Sequence, residues 1–171
     1  MTTESNPYAP PRARVQDTSA HAEEYCELTP WTVQGRIGRL RFVAWIFVLM
    51  LAVAVPVAII TAIFGEDSAL GDVLVLILGL GTFYFGMCMQ GKRLHDMNYS
   101  AWFLLILFIP IIGTILSIVT LFWPGNEGEN DYGPPAPPNS SWVKFLSGLF
   151  IAAIVISILG IIAALVLGKP V

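Results

Sequence analysis

Residues Phe42 to Phe64 read FVAWIFVLMLAVAVPVAIITAIF, a run without one charged side chain. As a helix rising about 1.5 Å per residue it reaches roughly 30 Å or more, the thickness of a bilayer's hydrocarbon core. Three further apolar runs follow, Ala69 to Met89, Ala101 to Trp123 and Phe145 to Leu167, with polar stretches between them. Across 171 residues, 56% are hydrophobic and only 12% charged, and the mean hydropathy is +0.72. That balance does not suit a water-facing surface; the chain needs lipid. The expected architecture is all-α: a polytopic membrane helix bundle of four transmembrane helices behind a disordered N-terminal tail.

Composition divides the chain into four parts. Residues 1–28 are rich in Pro, Ser, Thr, Glu and Ala and bury too little apolar surface to offset the entropy of ordering, so they are expected to be disordered. Residues 29–41 form a basic juxtamembrane segment, where Thr29-Pro30 is a helix-start signal ahead of Trp31. Residues 42–141 hold the first three runs, and residues 142–171 an additional C-terminal span. About forty mostly polar residues precede the first run and no small-residue cleavage site follows it, so that helix is expected to stay attached as an anchor. Cys26 in the aqueous tail and Cys88 at membrane depth are an unpromising disulfide pair.

Lys and Arg accumulate on the side that is not translocated. Arg12, Arg14, Arg36, Arg39 and Arg41 precede the first span, the next loop carries Glu66 and Asp67, and Lys92 and Arg93 follow the second. The N-terminus is therefore expected in the cytoplasm of a bacterial inner membrane. Pro110 and Gly113 leave two paths for the third run, a full crossing or a re-entrant hairpin. The full crossing is expected, because a lipid-exposed hairpin leaves backbone groups unpaired.

Small residues recur at helical spacing in every span, among them Gly79 and Gly86, Gly113, and Ser157 and Gly160. Offsets of three and four place each set on one face, where helix backbones approach closely within the bundle or between copies. Pro56 removes one backbone bond from the first span and is expected to kink it. Asn6-Pro7-Tyr8-Ala9-Pro10-Pro11 is echoed by Asn130-Asp131-Tyr132-Gly133-Pro134-Pro135; both read as extended, polyproline-like linkers that present a tyrosine, or as docking segments.

The densest polar group is Lys92, Arg93, His95 and Asp96 at the end of the second span, followed by Trp102. A histidine beside an aspartate invites acid-base chemistry, but neighbours on a helix point about 100° apart and no nucleophile stands at motif spacing. A structural cluster pairing with tail arginines or lipid phosphates suits these residues better. His21, Cys26, Cys88 and His95 are scattered singly, so neither a metal nor a cofactor is expected. Basic residues are few and lie next to the bilayer, which argues against nucleic acid. Spans lacking ionisable groups other than Asp72, near its helix start, argue against ion-coupled transport.

Three segments together resemble a known family: Gly35-Arg36-Ile37-Gly38-Arg39-Leu40-Arg41-Phe42; Arg93-Leu94-His95-Asp96 with Ser100-Ala101-Trp102; and Pro124-Gly125, Gly128-Glu129-Asn130, Tyr132-Gly133. The chain resembles, over Gly35 to Pro135, the bacterial inner-membrane proteins grouped as domain of unknown function 805. The resemblance implies a bacterial inner membrane and an uncharacterised activity, and offers no cofactor or substrate. The long tail and the span after Ser141 depart from the family's usual form.

The expected function is a non-enzymatic membrane scaffold that binds anionic headgroups, a protein partner or a second copy of itself. Its lipid- or partner-binding residues would be Arg36, Arg39, Arg41, Lys92, Arg93, His95, Asp96, Trp102, Asn130 and Tyr132. A channel or carrier for a neutral or amphipathic solute is the alternative. A lipid-modifying enzyme stands third and needs His95 and Asp96 to converge with Glu129 or Tyr132, a geometry the re-entrant path permits.

Overall fold

Hydrophobic run length and helix-end chemistry set four α-helices in the computed structural model, which describes residues 25–168. They are α1 (Arg39–Phe64), α2 (Ala69–Asp96), α3 (Pro110–Phe122) and α4 (Ser141–Leu167), with a 3-10 helix (Ala101–Phe108) between α2 and α3. No strand occurs among the described residues. The first twenty-four residues, including the tail's tyrosine-proline motif, lie outside them.

Residues 65–68 turn α1 back into α2. Gly65, at φ +79°, returns its N–H to Thr61 O at 2.9 Å, a backbone conformation that costs a residue without a Cβ little. Ser68 then caps α2 by accepting the Gly71 N–H at 3.3 Å, with Asp72 in the first turn at the positive end of the helix dipole. At its other end α2 runs seven residues past the apolar run, to Asp96. It closes in a Schellman motif: Tyr99 N–H reaches Leu94 O at 2.9 Å, Asn98 N–H reaches His95 O at 3.0 Å, and Asn98 takes φ +61°.

Three helices among the described residues, α1, α2 and α4, are long and apolar enough to cross a membrane, not the four expected. The run from Ala101 to Trp123 breaks at Ile109–Pro110. An eight-residue 3-10 helix at about 2.0 Å per residue and a thirteen-residue α-helix at about 1.5 Å each reach only about 16–20 Å, short of a hydrocarbon core. Pro110 cannot extend the hydrogen-bond ladder before it and starts α3 instead. Gly113 passes directly over Leu107, where a Cβ would meet the Leu107 carbonyl oxygen at 2.6 Å and Cα at 2.8 Å. Both ends of this run stand at the C-terminal end of α2: Ser100 follows Asp96 closely in the chain, and Arg93 hydrogen-bonds to the carbonyls of Thr120 and Trp123.

The start of α1 differs from expectation as well. Thr29-Pro30 opens a turn, with Thr29 Oγ1 and Thr32 Oγ1 3.0 Å apart, and helix begins only at Arg39. Gly35, at φ +86°, bends the intervening chain against α2, and at Gly91 the crossing is so close that a Cβ would strike Val33. Cys26 is not aqueous; it is buried, accepts the Arg36 N–H through sulfur at 3.4 Å, and gives its own N–H to Pro135 O at 3.0 Å. Cys26 and Cys88 are both free thiols.

α4 packs on α1 alone among the helices, with Phe47 and Phe150 rings 5.5 Å apart. It starts at the same end as α1, since Arg41 donates to Pro137 O at 3.1 Å and Pro138 O at 2.9 Å just ahead of it. The core of Ile37, Phe42, Phe85, Cys88 and Met89 sits toward that end, with Trp45 5.2 Å from Phe85. Away from it the helices expose Ile59, Ile63, Leu76, Ile77, Ile158 and Leu159 around their circumference, the surface of elements solvated by lipid.

Candidate functional site: a polar cap at one end of the bundle

Three chain segments meet where α2 ends: residues 25–38, the last turns of α2, and residues 124–135 after α3. Each brings polar backbone that must find partners once buried. Asp96 is the centre. Its Oδ1 accepts from Arg36 Nε at 3.3 Å, and Arg36 Nη2 lies at the same distance; Oδ2 accepts from Arg93 Nη1 at 2.5 Å. Both arginines are 0% exposed. Buried guanidinium groups are tolerated when their charge is offset and their donors are hydrogen-bonded; the one carboxylate between two forks offsets one of the two charges, and backbone carbonyls take up the remaining donors.

The remaining N–H groups bind backbone. Arg36 donates through Nη1 to Gly128 O at 2.6 Å and Gly133 O at 3.2 Å, and through Nη2 to Asn126 O. Arg93 donates through Nε to Thr120 O at 2.7 Å and through Nη2 to Trp123 O. Those two carbonyls end α3, where helix geometry leaves acceptors without partners and the dipole favours a cation. Arg39 adds a long bond to Phe122 O at 3.4 Å, and Gln90 Nε2 reaches Thr120 Oγ1 at 2.9 Å. The arginines thus tie the third run and the loop after it to α2.

The loop closes on itself. Asn130 and Gly133 exchange both backbone hydrogen bonds, at 3.2 and 3.0 Å, while Asn130 Nδ2 donates to His95 O at 2.8 Å and Asn130 Oδ1 accepts the Tyr132 N–H at 2.9 Å. The sequence led us to expect an extended path here; a tight turn with Gly133 at φ +106° replaces it. Tyr132 lies flat on His95, ring centroids 3.9 Å apart and planes within 5°. Asp131 and Asn98 pair through Asn98 Nδ2 to Asp131 Oδ2 at 3.2 Å.

Of the residues singled out from sequence, Arg36, Arg93, His95, Asp96, Asn130 and Tyr132 converge. Arg41 and Lys92 are buried nearby but line a different space; Arg39 and Trp102 are exposed. His95 and Asp96 face different partners, as neighbours on a helix do, and His95 Nδ1 is buried with no hydrogen-bond partner among the described residues. Gly79, Gly86 and Gly160 have open space where a Cβ would stand, Ser157 donates to Ala153 O at 2.8 Å within its own helix, and only Gly113 makes a close approach. Sequence reasoning gave Cys26 and Gly125 no place in this cluster and passed over Gly91. A Cβ at Gly125 would fall on the Asp96 carboxylate, so the pair Pro124-Gly125 marks where backbone crosses the buried charge.

A bundle of apolar helices closed at one end by a buried arginine–aspartate cluster defines a helical integral membrane protein. Within that class the chain belongs to the family described as "Protein of unknown function (DUF805)", whose model matches residues 30–134, the span that builds the cap and its hairpin. It is similar to inner membrane protein YhaH of Escherichia coli K12, 33% identical over 103 residues, covering 59% of this chain and 84% of the relative. Inner membrane protein YhaI of the same strain is 32% identical over 100 residues, covering 58% and 80%. No solved structure matches.

Proposed function

We propose that the protein is a non-enzymatic scaffold of a bacterial inner membrane, in which three spans hold a rigid cytoplasmic cap against the headgroup layer and a protein partner. The observation that carries this reading is the use of Arg36: every nitrogen of its guanidinium meets an acceptor within the cap. Asp96 is likewise held by two arginines, so neither group is left to bind or transform a substrate. His95 and Tyr132 do converge, but face to face as a flat ring stack.

The third run acts as a re-entrant hairpin in this reading, and the cap is its cytoplasmic anchor. All six described Lys and Arg residues, Arg36, Arg39, Arg41, Lys92, Arg93 and Lys144, belong to the cap end, while Glu66 and Asp67 occupy the opposite turn. That asymmetry favours a cytoplasmic cap and N-terminal side, with α4 leading away from it. Exposed Trp31, Trp102 and Trp142 supply amphipathic rings suited to headgroup depth.

The test compares Arg36→Lys with the unaltered protein in mild detergent. A lysine keeps the charge but loses the fork, so a structural arginine predicts a lower melting temperature with insertion retained. An unchanged melt accompanied by altered lipid composition in cells would sink the scaffold reading in favour of chemistry at the cap.

A further inference from the structure

Two cations are buried beside the cap without an acid among the described residues. Lys92 is 1% exposed, and its Nζ donates to Gln34 O at 2.7 Å; Arg41 is 7% exposed and, among the described residues, donates to the Pro137 and Pro138 carbonyls. Both ion pairs among the described residues go to Asp96, so neither Lys92 nor Arg41 has a carboxylate within salt-bridge distance there. Carbonyl oxygens satisfy some of their donors but carry no net charge. Burying a cation on dipoles alone is costly, and buried charges are as a rule paired.

Both side chains line one cleft, of about 400 Å³, between residues 28–30, the first turns of α1 and the start of α4. That lies within the range of ligand pockets, about 300–1,000 Å³. Its walls are otherwise mostly apolar, with Ile37, Ala44, Trp45, Val48, Met89 and Leu146 outweighing Thr29 and Ser140. Ala44, Trp45 and Val48 occupy the cap end of α1, beyond which the helix surface is lipid-facing. The cleft therefore joins a cationic end near the headgroup layer to an apolar interior at acyl depth.

We propose that this cleft seats one anionic phospholipid, its phosphate against Arg41 and Lys92 and part of one acyl chain along Trp45, Val48 and Leu146. A soluble anion would satisfy the cations and leave the apolar walls empty; a zwitterionic lipid would fill the walls and bring its own cation to a site that already holds two. An anionic lipid satisfies both, and the surface potential of a cytoplasmic leaflet supplies it. The proposal rests on the cytoplasmic, lipid-binding cap described above and names its ligand.

Native mass spectrometry of the full chain in mild detergent, titrated with phosphatidylglycerol or phosphatidylcholine of identical acyl chains, tests it. Phosphatidylglycerol is expected to be retained at least about tenfold more tightly, with Arg41→Gln removing that preference and Arg41→Lys largely keeping it. Val48→Trp, which fills the cleft, should weaken both lipids. Arg39→Gln, an exposed charge outside the cleft, is expected to matter less than Arg41→Gln; equal loss from the two would reduce the effect to general surface attraction and overturn the site. Displacement of the lipid by millimolar inorganic phosphate, equal retention of both lipids, or a gain in lipid retention on Glu23→Gln with Glu24→Gln would each overturn it too, the last by making the tail the occupant. Melting curves run beside each variant establish folding, and should Arg41→Gln fail to fold, Val48→Trp and the phosphate competition still decide. These outcomes leave the Arg36→Lys melt untouched, so the lipid site and the scaffold reading fail separately.

Discussion

Arg36 and Asp96 stand 60 positions apart in the chain and meet at 3.3 Å with side chains 0% and 6% exposed. The contact joins the segment before the first span to the end of the second, and through the other arginine nitrogens to the loop after the third run. Removing one member of a buried charge group leaves the rest uncompensated, which costs far more than the group's net contribution.

Asp96→Asn is therefore expected to destabilise the protein by about 3–5 kcal/mol, because two buried guanidinium groups lose their common counter-charge. Thermal melting in detergent, read by the loss of soluble monodisperse protein, checks this. A melt within a degree of wild type would mean that the backbone acceptors suffice without the carboxylate.

Gly125 offers a separate probe of the same centre. Alanine there would push a methyl group onto the Asp96 carboxylate, whereas alanine at Gly128 meets open space. Overpacking of this kind costs about 1–3 kcal/mol, and an unobstructed surface change stays within about 0.5 kcal/mol. Gly125→Ala should melt well below Gly128→Ala; equal melts would show that the loop can lift off the carboxylate freely.

The difference between Gly125 and Gly128 also marks how far sequence could be read. Both stand in a polar loop, and nothing local distinguishes them, since what decides is a carboxylate contributed from α2. Helices α1, α2 and α4 were legible because lipid forces long apolar runs to close their own hydrogen bonds. The cluster at Lys92–Asp96 was legible as charge density, with tail arginines or lipid phosphates as its expected partners. Which arginine was not: Arg36, Arg39 and Arg41 look alike in sequence, and the bend at Gly35 is what turns the first inward. The third run was expected as one full crossing, and its length gave no sign of the break. Twenty-three residues reach across a bilayer only if continuous, and Pro110 with Gly113 makes them two short arms.

The His95–Tyr132 stack uses ring faces, with centroids 3.9 Å apart. Tyr132→Phe keeps the ring and should melt with the wild type. Tyr132→Leu loses the stack, worth about 0.5–1.5 kcal/mol beyond area burial, and should melt measurably lower. A Phe variant as unstable as the Leu variant would assign the contribution to the hydroxyl instead.

The hairpin makes a prediction about sidedness that needs no energy scale. Tyr99 ahead of the third run and Glu127 behind it are both exposed, and both belong to the cap, whereas Glu66 is exposed in the turn at the opposite end of α1 and α2. Native Cys26 and Cys88 are buried, so a membrane-impermeant maleimide should find little background in sealed vesicles. Tyr99→Cys and Glu127→Cys are expected to react from one face and Glu66→Cys from the other. A full crossing of residues 101–123 would instead place Tyr99 and Glu127 on opposite faces. It would also pull the Asn126, Gly128 and Gly133 carbonyls away from Arg36, leaving a buried cation to find its acceptors elsewhere. Labelling of Tyr99→Cys and Glu127→Cys from opposite faces would therefore overturn both the hairpin and the arginine cap that depends on it.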